Sequence, residues 1–228
     1  MTLDTKKALI VGASGLVGSE LLQILLEGDR YSEVVAFVRS PLSITHHKLK
    51  EVTVDFDKLV DYQNEMDVQD VYCCLGTTIK KAQSQENMFK IDVQYPLTLA
   101  KLAKEKGMEH FILVSAMKAN SKSKFFYTRI KGELEEHLKA LSLPALSIVQ
   151  PSLLLGEREE FRFGEKVADW AFKSLAWMLK DSTKAKWGIE AKTVASAMYG
   201  IAQLKAQGTN VYSAQDMASI AKKVQVSI

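Results

Sequence analysis

The chain has 228 residues, 47% hydrophobic and 25% charged, with a net charge of +3 and a pI near 8.7. That is an ordinary globular profile, large enough for its own core, and its mild charge without a long basic run argues against nucleic-acid binding. No apolar run reaches the roughly 18 residues needed to span a bilayer and no signal-peptide pattern precedes the first strand, so no integral membrane segment is expected and the expected compartment is the cytoplasm.

Ala8 to Val11 reads as a buried strand that breaks into glycines at 12, 15 and 18. Apolar residues then recur with helical period from Leu16 to Leu26, with Gly28 as a C-terminal cap. Strand, glycine turn and helix form the opening of a dinucleotide-binding unit. Gly12 permits a tight turn, Gly15 lets the backbone approach a pyrophosphate, and Gly18 lets the helix lie close on the sheet. Ser14 and the amides of Leu16 and Val17 at the helix start would hold the phosphates.

Glu33 to Val38 predicts a second strand, ended by Arg39-Ser40-Pro41. Lys50 to Asp55 predicts a third, followed by Phe56, and Asp70 to Leu75 a fourth, ending in Gly76-Thr77-Thr78. A helix is expected from about Glu86 to Lys106, bent at Pro96. His110 to Val114 is the fifth strand and ends at Ser115. A helix from about Phe126 to Leu141 follows, then a sixth strand, Ala145 to Val149, ending at Gln150-Pro151-Ser152. Strands alternating with helices predict an α/β, Rossmann-like, doubly wound parallel sheet with its ligand at the carboxyl ends of the strands. Gly12, Arg39, Asp55, Gly76, Ser115 and Pro151 all fall there.

The whole of 1–228 reads as a single NAD(P)-binding domain with a small C-terminal elaboration. Residues from about 152 to 190 form its substrate-side loop and helix. A further helix, about Lys192 to Leu204, a last strand, Asn210 to Ser213, and a last helix, Gln215 to Lys222, complete the chain. Phe125, Phe126, Trp170, Phe172, Trp177 and Trp187 suit either apolar substrate walls or plain core packing. Lys173, Lys180, Lys184 and Lys186 suit a solvated helix face, a membrane-surface patch or an anionic substrate mouth. Cys73 and Cys74 are neighbours in a strand and point to opposite faces, so they should not pair, and no metal-ligand spacing surrounds them.

The chemistry concentrates in Ser115 and Tyr127-Thr-Arg-Ile-Lys131. Tyr127 and Lys131 are four apart on a helix and share a face. A lysine ammonium favours phenolate and makes a tyrosine competent in proton exchange, and a strand-end serine can polarise a carbonyl. Lys131 would also reach the cofactor ribose. At the end of the second strand no Asp or Glu stands where an NAD site places one for the ribose hydroxyls. Arg39 is there instead, and a guanidinium suits a 2′-phosphate, the other reading being a solvated surface arginine. Asp55 either meets the adenine amino group, with Phe56 near the ring, or caps a short following helix. Leu75, Gly76 and Thr77 would line the ribose and phosphates.

These residues resemble the short-chain dehydrogenase/reductase superfamily, in its atypical or extended branch with GxxGxxG spacing. The likeness is closer to its HTATIP2/TIP30-like group of NADPH-binding proteins. It rests on Gly12-Ala-Ser-Gly15, Val54-Asp55-Phe56, Cys73-Cys-Leu-Gly-Thr-Thr78, His110-Phe111 with Ser115, and Tyr127 to Glu133. The resemblance implies a bound NADP(H), preferred over NAD(H), and a Ser115-Tyr127-Lys131 set whose substrate is often unidentified. Two positions depart from its pattern: Asp92 stands where an asparagine supports a proton-relay water, and Gln150-Pro151-Ser152 replaces Arg-Pro-Gly. Pro151 would still shape the turn near the nicotinamide. Three functions follow as expectations. The first is an NADP-dependent oxidoreductase for a partly apolar carbonyl or alcohol. The second is an NADPH-binding redox-sensing regulator with a protein partner and little turnover. The third is a nucleotide-sugar epimerase or dehydratase, for which the region after Pro151 is short.

Overall fold

The computed structural model describes residues 5–155, 188–204 and 206–225. Its strands are β1 Lys6–Val11, β2 Tyr31–Val38, β3 Leu49–Thr53, β4 Asp70–Cys73, β5 His110–Val114 and β6 Ala145–Gln150. Two short strands, β7 Leu153–Leu155 and β8 Gly188–Glu190, pair with each other in parallel. The last strand, β9 Gly208–Ser213, returns to the main sheet. The sheet runs β3-β2-β1-β4-β5-β6-β9, and every neighbouring pair is parallel. The doubly wound sheet expected from the alternation is present.

Both faces of this sheet are covered, which is why its inner strands are apolar at successive positions, whereas the edge strands β3 and β9 are not. Ala8, Ile10, Val34, Ala36, Tyr72, Cys74, Ile112 and Val149 turn to one side. There they meet α1 Leu16–Glu27. The other side takes Leu9, Val11, Val35, Phe37, Cys73, Phe111, Leu113 and Ile148. Its helical cover begins with a 3-10 stretch, Phe56–Met66, and the short helix α2 Ile79–Ala82, capped by the Thr78 hydroxyl on the Lys81 amide at 3.2 Å. Cys73 and Cys74 are buried on opposite faces and form no disulfide.

The helix expected over 86–106 is interrupted. It runs as α3 Gln85–Phe89, a π-helical turn Lys90–Gln94, and α4 Tyr95–Glu105. The Tyr95 amide reaches the Lys90 carbonyl, five residues back. In a regular helix the Pro96 ring would strike the Asp92 carbonyl, and the wider turn relieves that clash. Asp92 therefore sits, fully buried, on a widened turn.

Helix α5 Phe126–Ala140 lies beside α4 on this face, and α6 Ala191–Gln203 and α7 Ala214–Gln225 join α1 on the other. The β7–β8 pair sets Leu153–Leu155 beside Gly188–Glu190, at the two ends of the stretch where the elaboration is expected. Trp170, Phe172, Trp177, Trp187 and the four lysines among them lie outside the described residues.

The parallel register puts Gly12, Arg39, Asp55, Gly76, Ser115 and Pro151 at one edge of the sheet, just past the strand ends. Strand order reverses between β1 and β4, so the crevice for a ligand opens between the loops after those two strands.

Candidate cofactor and active site

The loop after β1 is built for close approach. Gly12 has φ +80°, and a Cβ there would stand 2.6 Å from the Cys74 carbonyl oxygen, so only glycine fits. A Cβ on Gly18 would run into the Gly12 carbonyl, which is how α1 lies down on the turn. Gly15 is the N-cap of α1, and its amide donates to Gly12 O at 2.9 Å. Glycine provides no capping side chain, and the first turn holds no acid. The helix dipole therefore meets no side-chain anion from its own first turn, which suits a phosphate. Ser14 is exposed beside it; Leu16 is half-buried, and Val17 is in the core and can offer only its backbone.

The loop after β4 continues the line. The Cys74 amide donates to Val11 O at 2.9 Å, and Leu75, Gly76 and Thr77 follow, all half-buried. The Thr77 amide donates to Asp92 Oδ2 at 2.9 Å. The other Asp92 oxygen holds Lys131 Nζ at 2.7 Å, with both side chains almost wholly buried. That Nζ lies 5.9 Å from the centroid of the Tyr127 ring. Contacts thus run from Thr77, in the loop packed on the glycine turn, to the tyrosine. Asp92, which stands where the resemblance places an asparagine beside a relay water, here holds the lysine and the Thr77 backbone. Burial pushes the nearby Cys73 thiol up to about 12, so it stays neutral in spite of the Lys131 charge.

Ser115 stands at the end of β5, 4% exposed. Its hydroxyl donates to Glu135 Oε1 at 2.5 Å. The Gln150 amide donates to both oxygens of the same carboxylate, at 2.9 and 3.1 Å, and Lys139 Nζ lies 3.7 Å away. The strand ends are also stitched through backbone: Ser115 N to Val149 O at 2.8 Å, and Met117 N to Pro151 O at 3.0 Å. Pro151 is buried in this junction. The loop beyond Ser115 lies directly on α5, because a Cβ at Gly132 would collide with the backbone of Asn120 and Ser121.

Arg39 is exposed immediately after β2. Asp55 caps the 3-10 stretch by accepting the Asp57 amide at 3.0 Å, which is one of the two readings open for it. Phe56 is buried and tilted against Tyr95, with centroids 5.4 Å apart, so its ring already has an aromatic partner inside the fold.

Residues 12–170 match the family described as NAD(P)H-binding. The chain belongs to this family. Protein HTATIP2 of Rattus norvegicus is 34% identical over 200 residues, covering 86% of this chain and 81% of its own. Protein FMP52, mitochondrial, of Debaryomyces hansenii is 33% identical over 190 residues, covering 78% and 84%. Among solved structures, MoeE5 in complex with UDP-glucose and NAD superposes with a TM-score of 0.68 at 14% identity, covering 96% of this chain and 82% of that one. At that identity the likeness is one of fold.

The family membership corrects the cytoplasmic expectation. Several relatives of this NAD(P)H-binding protein carry the word mitochondrial in their names. Mild charge and the lack of a spanning run do not separate the two compartments. No described helix is long and apolar enough to cross a membrane.

Sequence reasoning missed Glu135 and Gly132 in this cluster, and noted Gln150 only as the replacement for an arginine, without its partner. The signal for Glu135 was its spacing: Tyr127, Lys131 and Glu135 recur every four residues and share a helix face. The signal for Gln150 was its position at a strand end.

Proposed function

We propose that this protein is an NADP-dependent oxidoreductase that moves hydride between the nicotinamide and a carbonyl or alcohol on a small, partly apolar molecule. The observation that carries this reading is the line of contacts from Thr77, in the loop packed on the Gly12 turn, through Asp92 and Lys131 to Tyr127. Bound cofactor supplies the hydride. Gly12, Gly15 and Gly18 let the backbone and the start of α1 take the pyrophosphate, with Ser14, Leu16 and Val17 beside it. Leu75, Gly76 and Thr77 line the ribose, and Pro151 borders the nicotinamide. Asp55 and Phe56 lie on the adenine side. Tyr127 gives or takes the proton at the substrate oxygen. Lys131, oriented by Asp92, steadies the phenol and reaches the ribose. Ser115 is one step removed from substrate, because its proton is already given to Glu135.

Arg39 and the absence of an acid at the end of β2 favour NADPH over NADH. Fluorescence titration with both cofactors tests this. Arg39→Ala should lower NADPH affinity by about ten- to 150-fold, the loss of one charge-assisted hydrogen bond, and leave NADH binding nearly unchanged. Equal affinities in the wild type would remove the argument. Turnover is tested with a panel of aldehydes, ketones and quinones while NADPH absorbance is followed. Tyr127→Phe keeps the ring and should bind NADPH normally while losing turnover by at least about a hundredfold.

Two observations favour a second reading, an NADPH-binding regulator with little turnover. The charge of Lys131 is paired with buried Asp92, and the hydroxyl of Ser115 is turned to Glu135. A wild type that binds NADPH tightly and reduces nothing in the panel would support it, and a pull-down with and without NADPH would look for the partner.

A further inference from the structure

The carboxylate of Glu135 is buried, yet nothing in the proton exchange at Tyr127 uses it. A buried carboxylate is costly unless its oxygens are bonded, and these are bonded from three directions. Ser115 reaches it from the end of β5, Gln150 from the end of β6, and Lys139 from its own helix. Ser115 has one hydroxyl proton and Glu135 receives it, so the serine has only lone pairs left for a ligand. A carbonyl oxygen, itself an acceptor, gains nothing from such a partner.

The position of Glu135 on α5 gives it another use. It lies one turn beyond Lys131 and two beyond Tyr127, on the same helix face. Gly132, between Lys131 and Glu135, lets α5 touch the backbone at Asn120 and Ser121. The Thr128 carbonyl, one residue after Tyr127, accepts the Asn120 amide at 3.0 Å. Those contacts set how close the helix lies. The bonds at Glu135 set its rotation about its own axis, because they tie one side chain to two strand ends at once. Rotation of α5 would swing Lys131 away from Asp92 and Tyr127 away from the crevice.

We propose that Glu135 is a positioning residue, and that Ser115 and Gln150 act through it: together they lock the rotation of α5 so that Lys131 and Tyr127 face the cofactor. This rests on the assignment of Lys131 to the cofactor. Its test reads NADPH binding and needs no substrate, so a failure to find any reducible carbonyl leaves it standing or falling on its own result.

The experiment measures NADPH affinity by fluorescence and thermal stability without ligand for Ser115→Ala, Glu135→Gln, Glu135→Ala and the double variant Ser115→Ala/Glu135→Ala. Glu135→Gln keeps an acceptor for Ser115 and should bind within about threefold of wild type. Ser115→Ala should weaken NADPH several-fold and Glu135→Ala about tenfold. The double variant should be no weaker than Glu135→Ala, because the serine acts through the glutamate. If Glu135→Ala does not fold, Ser115→Ala, which leaves the carboxylate bonded to Gln150, still decides. Wild-type NADPH affinity in folded Ser115→Ala overturns the proposal, even where stability has dropped.

Discussion

At the amino edge of the sheet Asp70 is enclosed by donors. Arg30 approaches it through Nε at 3.3 Å and Nη2 at 3.0 Å, Tyr31 through its hydroxyl at 2.7 Å, and Lys6 through Nζ at 3.7 Å. Arg30 also donates to the Ala202 carbonyl, and Tyr31 shares a 2.7 Å hydrogen bond with Tyr72. At the carboxyl edge Asp92 is buried as deeply, but the partners on its two oxygens are the Thr77 amide and Lys131. The first cluster joins β1, β2, β4 and α6 and faces no loop crevice. The second joins a loop to two helices beside the strand-order reversal. Equal burial of a carboxylate thus serves two ends: locking strands together, or aiming a cation at a ligand site.

The largest effect should come from the amino edge. Asp70→Ala leaves Arg30 without its ionic partner and removes the acceptor of Tyr31. Breaking a buried pair from one side costs about 3–5 kcal/mol, and with this many donors orphaned the upper part of that range is expected in urea unfolding. Burial holds the Tyr31 and Tyr72 phenols well above their ordinary ionisation range, so neither can supply the missing charge. What protein remains folded should bind NADPH as wild type does. A parallel fall in affinity would mean that the two edges are not independent.

Lys131→Met sharpens the contrast. It strands Asp92 with only the Thr77 amide, and methionine fills the vacated space, so a loss near the lower end, about 3 kcal/mol, is expected. The distinguishing result is the ligand response. Saturating NADPH should raise the melting temperature of wild type and of Asp70→Ala by similar amounts, because both retain the site. In Lys131→Met that rise should shrink or vanish. An undiminished rise would make the Lys131–Asp92 pair a second structural clamp and withdraw the ribose assignment.

The same contrast explains what could be read from sequence. The strands that end at Gly12, Arg39, Gly76, Ser115 and Pro151 were legible because each is a mainly apolar run closed by a local breaker, and the third, ending near Asp55, by the alternation of its edge position. Their common edge follows from parallel pairing alone. Tyr127 and Lys131 were legible because one helix carries both. Glu135 was not: Glu133, Glu135 and Glu136 stand close together in one helix, and only the fold decides which meets the end of β5. Arg30 and Asp70 escaped for a similar reason, since polar residues at strand starts look like ordinary boundary residues until their side chains converge. The β7–β8 pair joins three-residue strands far apart in sequence, beyond any local periodicity. The π turn was half legible. Pro96 signalled a bend, but not that the bend would be a widened turn carrying Asp92.

The smallest expected effect is a pH dependence from the amino edge. His110 begins β5, is buried, and shares a 2.8 Å hydrogen bond with Ser147. Burial is the main cause that lowers its ionisation below the ordinary histidine range; Arg30 and Lys6 add to the lowering, and Asp70 opposes it. The folded protein therefore keeps this imidazole neutral at a pH where the unfolded chain, titrating near about 6.5, has begun to bind a proton. Stability should be level above that pH, fall as the pH drops through it, and level again once the folded histidine also protonates. One proton limits the slope to about 1.4 kcal/mol per pH unit. Urea midpoints between pH 7.5 and 5.5 for wild type and His110→Gln measure it, and the other three histidines are common to both proteins. The wild-type curve should bend downward below about pH 6.5 relative to the variant. Parallel curves would mean that His110 takes up its proton as readily inside the fold as outside, and that the amino edge is less sealed than its contacts imply.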